Sequence, residues 1–181
     1  GVASSHLMLV TDSKYGYRGF DNALAVSLIR GSYDPDRYPD IGFHHFRLAL
    51  CAAPAAASKQ ELIQQAYDWN HPLTVISSPP QERGSWPLAH GFIQLEAGTV
   101  AVSAVKMPEG GQGKEMLIRL YETEGQDTTV QLAFCRDIQE AVLVDINENP
   151  IADSPQPEVQ GSKVVFPVGA ASVASIKLVF A

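Results

Sequence analysis

Apolar residues recur at every second position along most of this chain. In LAVSLIR, Leu24, Val26 and Leu28 share one face while Ala25 and Ser27 take the other, and in EMLIRLYE the residues Met116, Ile118 and Leu120 do the same. A period of two is the mark of a strand with one covered face. The pattern predicts strands near 7–11, 22–30, 43–51, 73–77, 91–96, 99–107, 115–122, 128–134, 140–146, 163–168 and 173–180. Turn-forming runs lie between them: YDPDRYPDIG, SSPPQERGSWP, PEGGQGK, EGQD and ENPIADSPQPEVQG. Many short strands at such spacing predict an all-β chain, an antiparallel two-sheet β-sandwich. Leu24, Val26 and Leu28 are expected in its core with Met116, Ile118 and Leu120.

One segment changes period. SKQELIQQAYDWNHP opens on Ser58 followed by Glu61, the spacing of a capping box, in which each side chain satisfies a free N–H group at the helix start. Leu62, Ile63, Ala66 and Tyr67 then fall at helical spacing, and Asn70 with Pro72 supplies a stop. A single amphipathic helix over 58–70 follows.

The stretch ahead of the 22–30 strand, TDSKYGYR, places Asp12, Lys14, Tyr15 and Tyr17 around Gly16, more chemistry than a turn requires. The tyrosines either cover the edge of a core or face something outside the chain. A long strand over 22–30 puts this turn and the YDPDRYPDIG loop at its opposite ends, unless the next strand folds the loop back.

With 181 residues the chain is long enough for one domain with a sizeable core. Its net charge of −7, with scattered Lys and Arg, argues against a nucleic-acid partner, which needs a basic face. No apolar run reaches the roughly 18 residues that span a bilayer, so no membrane contact is expected. No charged start followed by an apolar segment is visible either. Cys51 and Cys135 each fall in a predicted strand, and two buried thiols are the expectation over a disulfide.

Catalytic patterns are scarce. EGGQGKE resembles a phosphate loop, but Pro108 stands where its first glycine belongs and Glu115 where its Ser or Thr belongs, so a hairpin turn is expected. The histidines are His6, His44, His45, His71 and His90. The adjacent pair 44–45 in a strand would point to opposite faces, and no zinc-type pair stands at helical spacing. Asp34, Asp36 and Asp40 cluster beside Tyr33 and Tyr38, as a solvated turn or as a ligand contact. Nothing marks a nucleophile. Trp69, Trp86, Tyr33 and Tyr38 could stack on sugar faces, although Trp69 at the helix end reads better as core.

The order of the segments adds more. TDSKYGY, then LAVSLIRGSYDPD, DIGFHHFRLAL and AYDWNHPL, followed by VAVSAVKMPEGGQGKEMLIRLYETEG, EAVLVDINENPI and ASIKLVF, resembles the C-terminal region of glycoside hydrolase family 38. These are retaining α-mannosidases, and the resemblance is to the cytosolic, vacuolar and bacterial branch. It implies that residues 1–181 are one C-terminal β-sandwich domain, of the mutarotase-like super-sandwich type. It further implies that the nucleophile, the general acid and the zinc ligands belong to an N-terminal catalytic domain of the same polypeptide. This chain would then be non-catalytic and hold no cofactor, in a cytoplasmic enzyme acting on α-mannosides or oligosaccharides. Some branches carry an Arg-Gly in the second loop whose arginine reaches the mannose; here that stretch is Asp40-Ile41-Gly42. The candidates for the substrate rim or an interdomain contact are Asp12, Lys14, Tyr15, Tyr17, Arg30, Asp40 and His44. The alternative is a stand-alone carbohydrate-binding sandwich.

Overall fold

The computed structural model describes residues 2–3, 7–31, 33–52, 54–79, 84 and 86–181, the first pair by backbone alone. His6 and part of the 77–87 turn run lie outside the described residues. The chain forms two compact units, Gly1–Val75 and Ile76–Ala181.

The first unit holds five strands and a helix: β1 (Val2–Ala3), β2 (Leu7–Thr11), β3 (Tyr17–Phe20), β4 (Ala23–Val26), β5 (Leu48–Ala52) and α1 (Lys59–Asn70). Strands β1, β2 and β5 make an antiparallel sheet in that order, with Met8 opposite Cys51 and Val10 opposite Ala49. Met8 and Val10 are buried under Leu62, Ala66 and Trp69 of α1. Those three positions lie one and two turns apart on a helix, so one stripe covers the sheet. Trp69 is therefore a packing residue, as the sequence suggested. The helix starts where the capping box placed it: the Glu61 N–H donates to Ser58 Oγ at 3.1 Å, and the Ser58 N–H donates to the Glu61 carboxylate at 2.8 Å. Replacing Ser58 by alanine should cost about 1 kcal/mol of stability, measurable by urea unfolding.

Three expectations need correction in this unit. The 22–30 strand is a hairpin instead: β3 pairs with β4 across a turn at Asp21-Asn22, with Asp21 in the left-handed region at φ 46°. Leu28 lies beyond β4 and is exposed, while Leu24 and Val26 are half-buried. The strand expected over 43–51 begins only at Leu48, so His44 and His45 are both exposed in irregular chain. No strand forms over 73–77, where Leu73, Val75 and Ile76 lie exposed.

The second unit is the β-sandwich. Its strands are β6 (Ile93–Ala97), β7 (Val100–Lys106), β8 (Glu115–Glu122), β9 (Thr128–Phe134), β10 (Ile138–Val144), β11 (Glu158–Gln160), β12 (Lys163–Val168) and β13 (Val173–Phe180). One sheet runs β10-β13-β8-β7 and the other β11-β12-β9-β6, all pairs antiparallel. Alternate residues of most strands turn inward, while β11 is exposed throughout. Ile118 stands opposite Ile176 in one sheet, and Val130 opposite Phe166 in the other, all fully buried in one shared core. Leu120 belongs to the same core, and Met116 packs against it. Chain passes from sheet to sheet at Gly98, where φ is +110° and a Cβ would stand 3.0 Å from Val130 Cγ2; only glycine makes that crossing. The PEGGQGK run is the β7–β8 hairpin connection, as expected, closed by the Gly111 N–H on the Pro108 carbonyl at 2.9 Å.

The Arg-Leu-Tyr-Glu run ends β8 and explains itself in this frame. Arg119 donates to Ser175 Oγ at 3.0 Å and to the Ile146 carbonyl at 3.3 Å, tying β8 to β13 and to the chain after β10. Leu120 fills the core. Glu122 is buried, and its carboxylate accepts from Thr99 Oγ1 and from the N–H groups of Glu124, Gly125, Gln126 and Ala171, at 2.7–3.2 Å. One side chain thus holds three connections at one end of the sandwich. Burial pushes its carboxyl up, but the backbone N–H groups of Ala171, Glu124 and Gly125 with the Thr99 hydroxyl outweigh that and hold it at about 2.

Cys51 is half-buried in β5, whereas Cys135 lies just past the end of β9 and is exposed; both are free thiols. Two buried thiols were expected, and Cys135 departs because the strand ends before it.

Candidate functional site

The turn that drew notice in the sequence is a rigid one. Thr11 ends β2, and its hydroxyl donates to the Lys14 carbonyl at 2.6 Å while the Lys14 N–H donates back to Thr11 Oγ1 at 3.2 Å. A hydroxyl has one proton, so the Tyr17 hydroxyl, 2.5 Å away, is the donor to Thr11 Oγ1. Tyr17 therefore closes the turn from inside the unit. Tyr15, at the tip, is 90% exposed.

The register of β2 against β5 decides what stands next to this turn. Thr11 lies opposite Leu48, so the residues after Thr11 meet those before Leu48. The Arg47 N–H donates to Asp12 Oδ1 at 3.0 Å, and its guanidinium stands 3.3 Å from Asp12 Oδ2 and 5.1 Å from the centre of the Trp69 ring. The Arg47 N–H, joined by the Ser13 hydroxyl and the Arg47 guanidinium, holds the Asp12 carboxyl below the usual range in spite of partial desolvation. Lys14 stands over the Phe46 ring at 5.4 Å. Exposed ion pairs add little stability, so the backbone bond and the stacking do most of the fixing.

The other end of the same loop also returns to the turn. The Ser27 N–H donates to the Gly16 carbonyl at 2.8 Å, and a Cβ on Gly16 would stand 3.1 Å from Ser27 Cβ. The glycine is there because the chain passes close. Residues 27–47, apart from Ser32 outside the description, thus leave the turn at Gly16 and come back to it at Asp12 without forming helix or strand. The loop is folded back, and the two segments do not occupy opposite ends of a long strand. Along it, Tyr33, Tyr38, Ile41 and Phe43 are exposed, Phe43 completely.

The sequence candidates divide accordingly. Asp12, Lys14 and Tyr17 are built into the turn with Arg47 and Phe46, and Tyr15 projects from it. Asp40 and His44 sit in the loop, where Asp40 adopts φ 56° and its carbonyl lies 2.7 Å from His44 Nε2. Arg30 is exposed in the irregular chain after β4. Asp36 accepts from the Tyr38 N–H at 2.9 Å, the closure of an Asx turn, which favours the turn reading of that aspartate cluster. Arg47 was not singled out in the sequence; its signal was the pairing of β2 with β5. Among the described residues no group of three His, Cys, Asp or Glu could hold a metal ion. No helix among them is long and apolar enough to cross a membrane. The turn and the loop present exposed aromatic and apolar side chains on their surface.

Residues 99–176 match the family described as glycosyl hydrolases family 38 C-terminal beta sandwich domain, a span that coincides with most of the sandwich. The alpha-mannosidase 2C1 of Homo sapiens is 32% identical over 146 residues, covering 80% of this chain and 14% of that protein. The alpha-mannosidase 2C1 of Mus musculus is 30% identical over 144 residues, 78% of this chain and 14% of its own length. Alpha-mannosidase G of Dictyostelium discoideum is 25% identical over 123 residues, 68% of this chain and 11% of its own length. The chain therefore spans about one seventh of the curated relatives it matches or less, and the matches reach well beyond the sandwich strands. Sheet order, inward-facing core and these matches agree: the chain belongs to the C-terminal β-sandwich region of glycoside hydrolase family 38.

Proposed function

We propose that residues 1–181 are the C-terminal accessory part of an α-mannosidase that hydrolyses terminal α-linked mannose with retention, in the cytoplasm. The loop over 27–47 and the turn that holds it dock on the catalytic domain of the same polypeptide and complete its rim. The loop itself carries this reading. A structureless stretch of that length is uncommon in a compact domain unless it has a partner or a function. This one is pinned at both ends and exposes Tyr33, Tyr38, Ile41 and Phe43, while Tyr15 is exposed on the turn that holds it. Large aromatic side chains on a pre-fixed backbone lose little freedom on docking, and such residues supply most of the energy at protein interfaces. The nucleophile, the general acid and the zinc belong to the catalytic domain.

The test uses the full-length enzyme. Tyr15→Ala should weaken docking by about 1–2 kcal/mol and lower both thermal stability and hydrolysis of a chromogenic α-mannoside. Lys14→Ala should act in the same direction, and Glu158→Ala on β11 should change neither. If Tyr15→Ala and Lys14→Ala both leave activity and stability at the parent level, the turn is ordinary packing.

A further inference from the structure

The two ends of the sandwich carry different chemistry. Glu122 closes the end where β8 stops. At the other end, where β8 begins and where β9 and β13 finish, a cleft of about 300 Å³ opens, within the size range of small-ligand sites. Trp86, Phe92, Met116 and Phe134 wall it, and Lys114, Glu115 and Arg136 line it with charge. Trp86 is 58% exposed and packs at 4.2 Å on His90 and 5.5 Å on Phe92, so its ring is held while its surface remains open. The walls are fixed by the sheets: the Cys135 N–H donates to the Phe92 carbonyl at 3.2 Å, and the Phe180 N–H to the Lys114 carbonyl at 2.9 Å. The Glu115 carboxylate is steadied by the Gln112 N–H at 2.7 Å.

We propose that this cleft binds a neutral sugar ring, with Trp86 as the stacking platform and Arg136, Lys114 and Glu115 on its hydroxyls. The chemistry of the lining selects that class. A purely apolar ligand would use the Trp86 face and none of the three charged side chains of the lining. An anion could pair with Lys114 and Arg136, but it would stand beside the Glu115 carboxylate and leave the Trp86 face unused. A pyranose offers an apolar C–H face to an indole, and hydroxyls that donate to Glu115 and accept from Arg136 and Lys114. Every residue invoked lies in the sandwich unit, so the test is separate from that of the docking surface in the first unit.

The chain has two tryptophans, hence two indole N–H signals in a proton–nitrogen correlation spectrum, with Trp86→Phe assigning them. Titration of the 181-residue chain with methyl α-mannopyranoside, and separately with methyl α-glucopyranoside, should shift the Trp86 signal saturably and leave that of Trp69 in place. Trp86→Ala should reduce affinity by about tenfold or more, measured on the backbone signals of Phe92 and Arg136. Arg136→Ala, at an exposed position, should weaken binding while leaving the spectrum otherwise folded. The absence of a saturable shift up to about 0.1 M sugar, well above the millimolar range, overturns the proposal. So does binding of benzoate at this cleft without binding of either glycoside.

Discussion

Phe166→Ala should lower the stability of the sandwich by about 3–5 kcal/mol, roughly 6–20 °C in its unfolding midpoint for a protein of this size. Phe166 is 1% exposed on β12, stands opposite Val130 on β9, and belongs to the core built by both sheets. Removing its ring takes contacts from both sheets at once, and interdigitated β-branched neighbours collapse poorly into the space. Leu28→Ala makes the useful contrast. Alternation alone places Leu28 in a core, but the side chain is 37% exposed beyond the end of β4, so its loss should cost about 1 kcal/mol or less. Thermal unfolding followed by circular dichroism near 215 nm compares the two. Equal losses would mean that Phe166 is no more central than a surface leucine, contrary to the arrangement of the two sheets.

The contrast also shows where the sequence was readable. In the sandwich, alternation over 115–122 and 163–168 reports true burial, because the facing sheet covers one side of each strand. The helix was readable for a local reason: Ser58 and Glu61 satisfy each other's backbone within one turn, so nothing distant is needed to place the start. The run LTVIS over 73–77 has the β-branched composition of a strand, yet it pairs with no strand among the described residues, and pairing is what makes a strand stable. Similarly, the alternation through Leu28 continues past the point where the Ser27 N–H turns to Gly16. Composition does not record that contact.

The candidate site was legible in half. Asp12, Lys14, Tyr15 and Tyr17 were visible as a cluster, because they crowd one glycine within a few residues. Their partners were not, since Arg47 becomes a neighbour of Asp12 only through the β2–β5 register, a relation that neither segment carries alone. The same holds for the cleft at the open end of the sandwich. Trp86 could be suspected of exposure from its place between Ser85 and Pro87, but Lys114 and Arg136 reach it from different sheets.

Glu122→Gln should destabilise the sandwich at neutral pH, and its effect should fade in acid. In the native state five donors converge on this carboxylate, four of them backbone N–H groups. Glutamine keeps one acceptor oxygen and turns an NH2 toward donors, so part-buried N–H groups lose the acceptor they have in the parent. The pH dependence follows from linkage. The carboxyl sits at about 2 when folded, against an ordinary value of 4.5, so the unfolded chain binds the proton more readily. The stability that Glu122 contributes is therefore fully present above about 4.5 and is lost as pH falls toward about 2. Other carboxylates titrate in the parent and the variant alike, so the difference in their unfolding midpoints isolates this one group. That difference should be largest from pH 5 upward and should narrow steadily below about 4.5. A difference that stays constant through the same window would show that Glu122 holds its three connections by shape alone, and that its charge contributes nothing to the closed end of the sandwich.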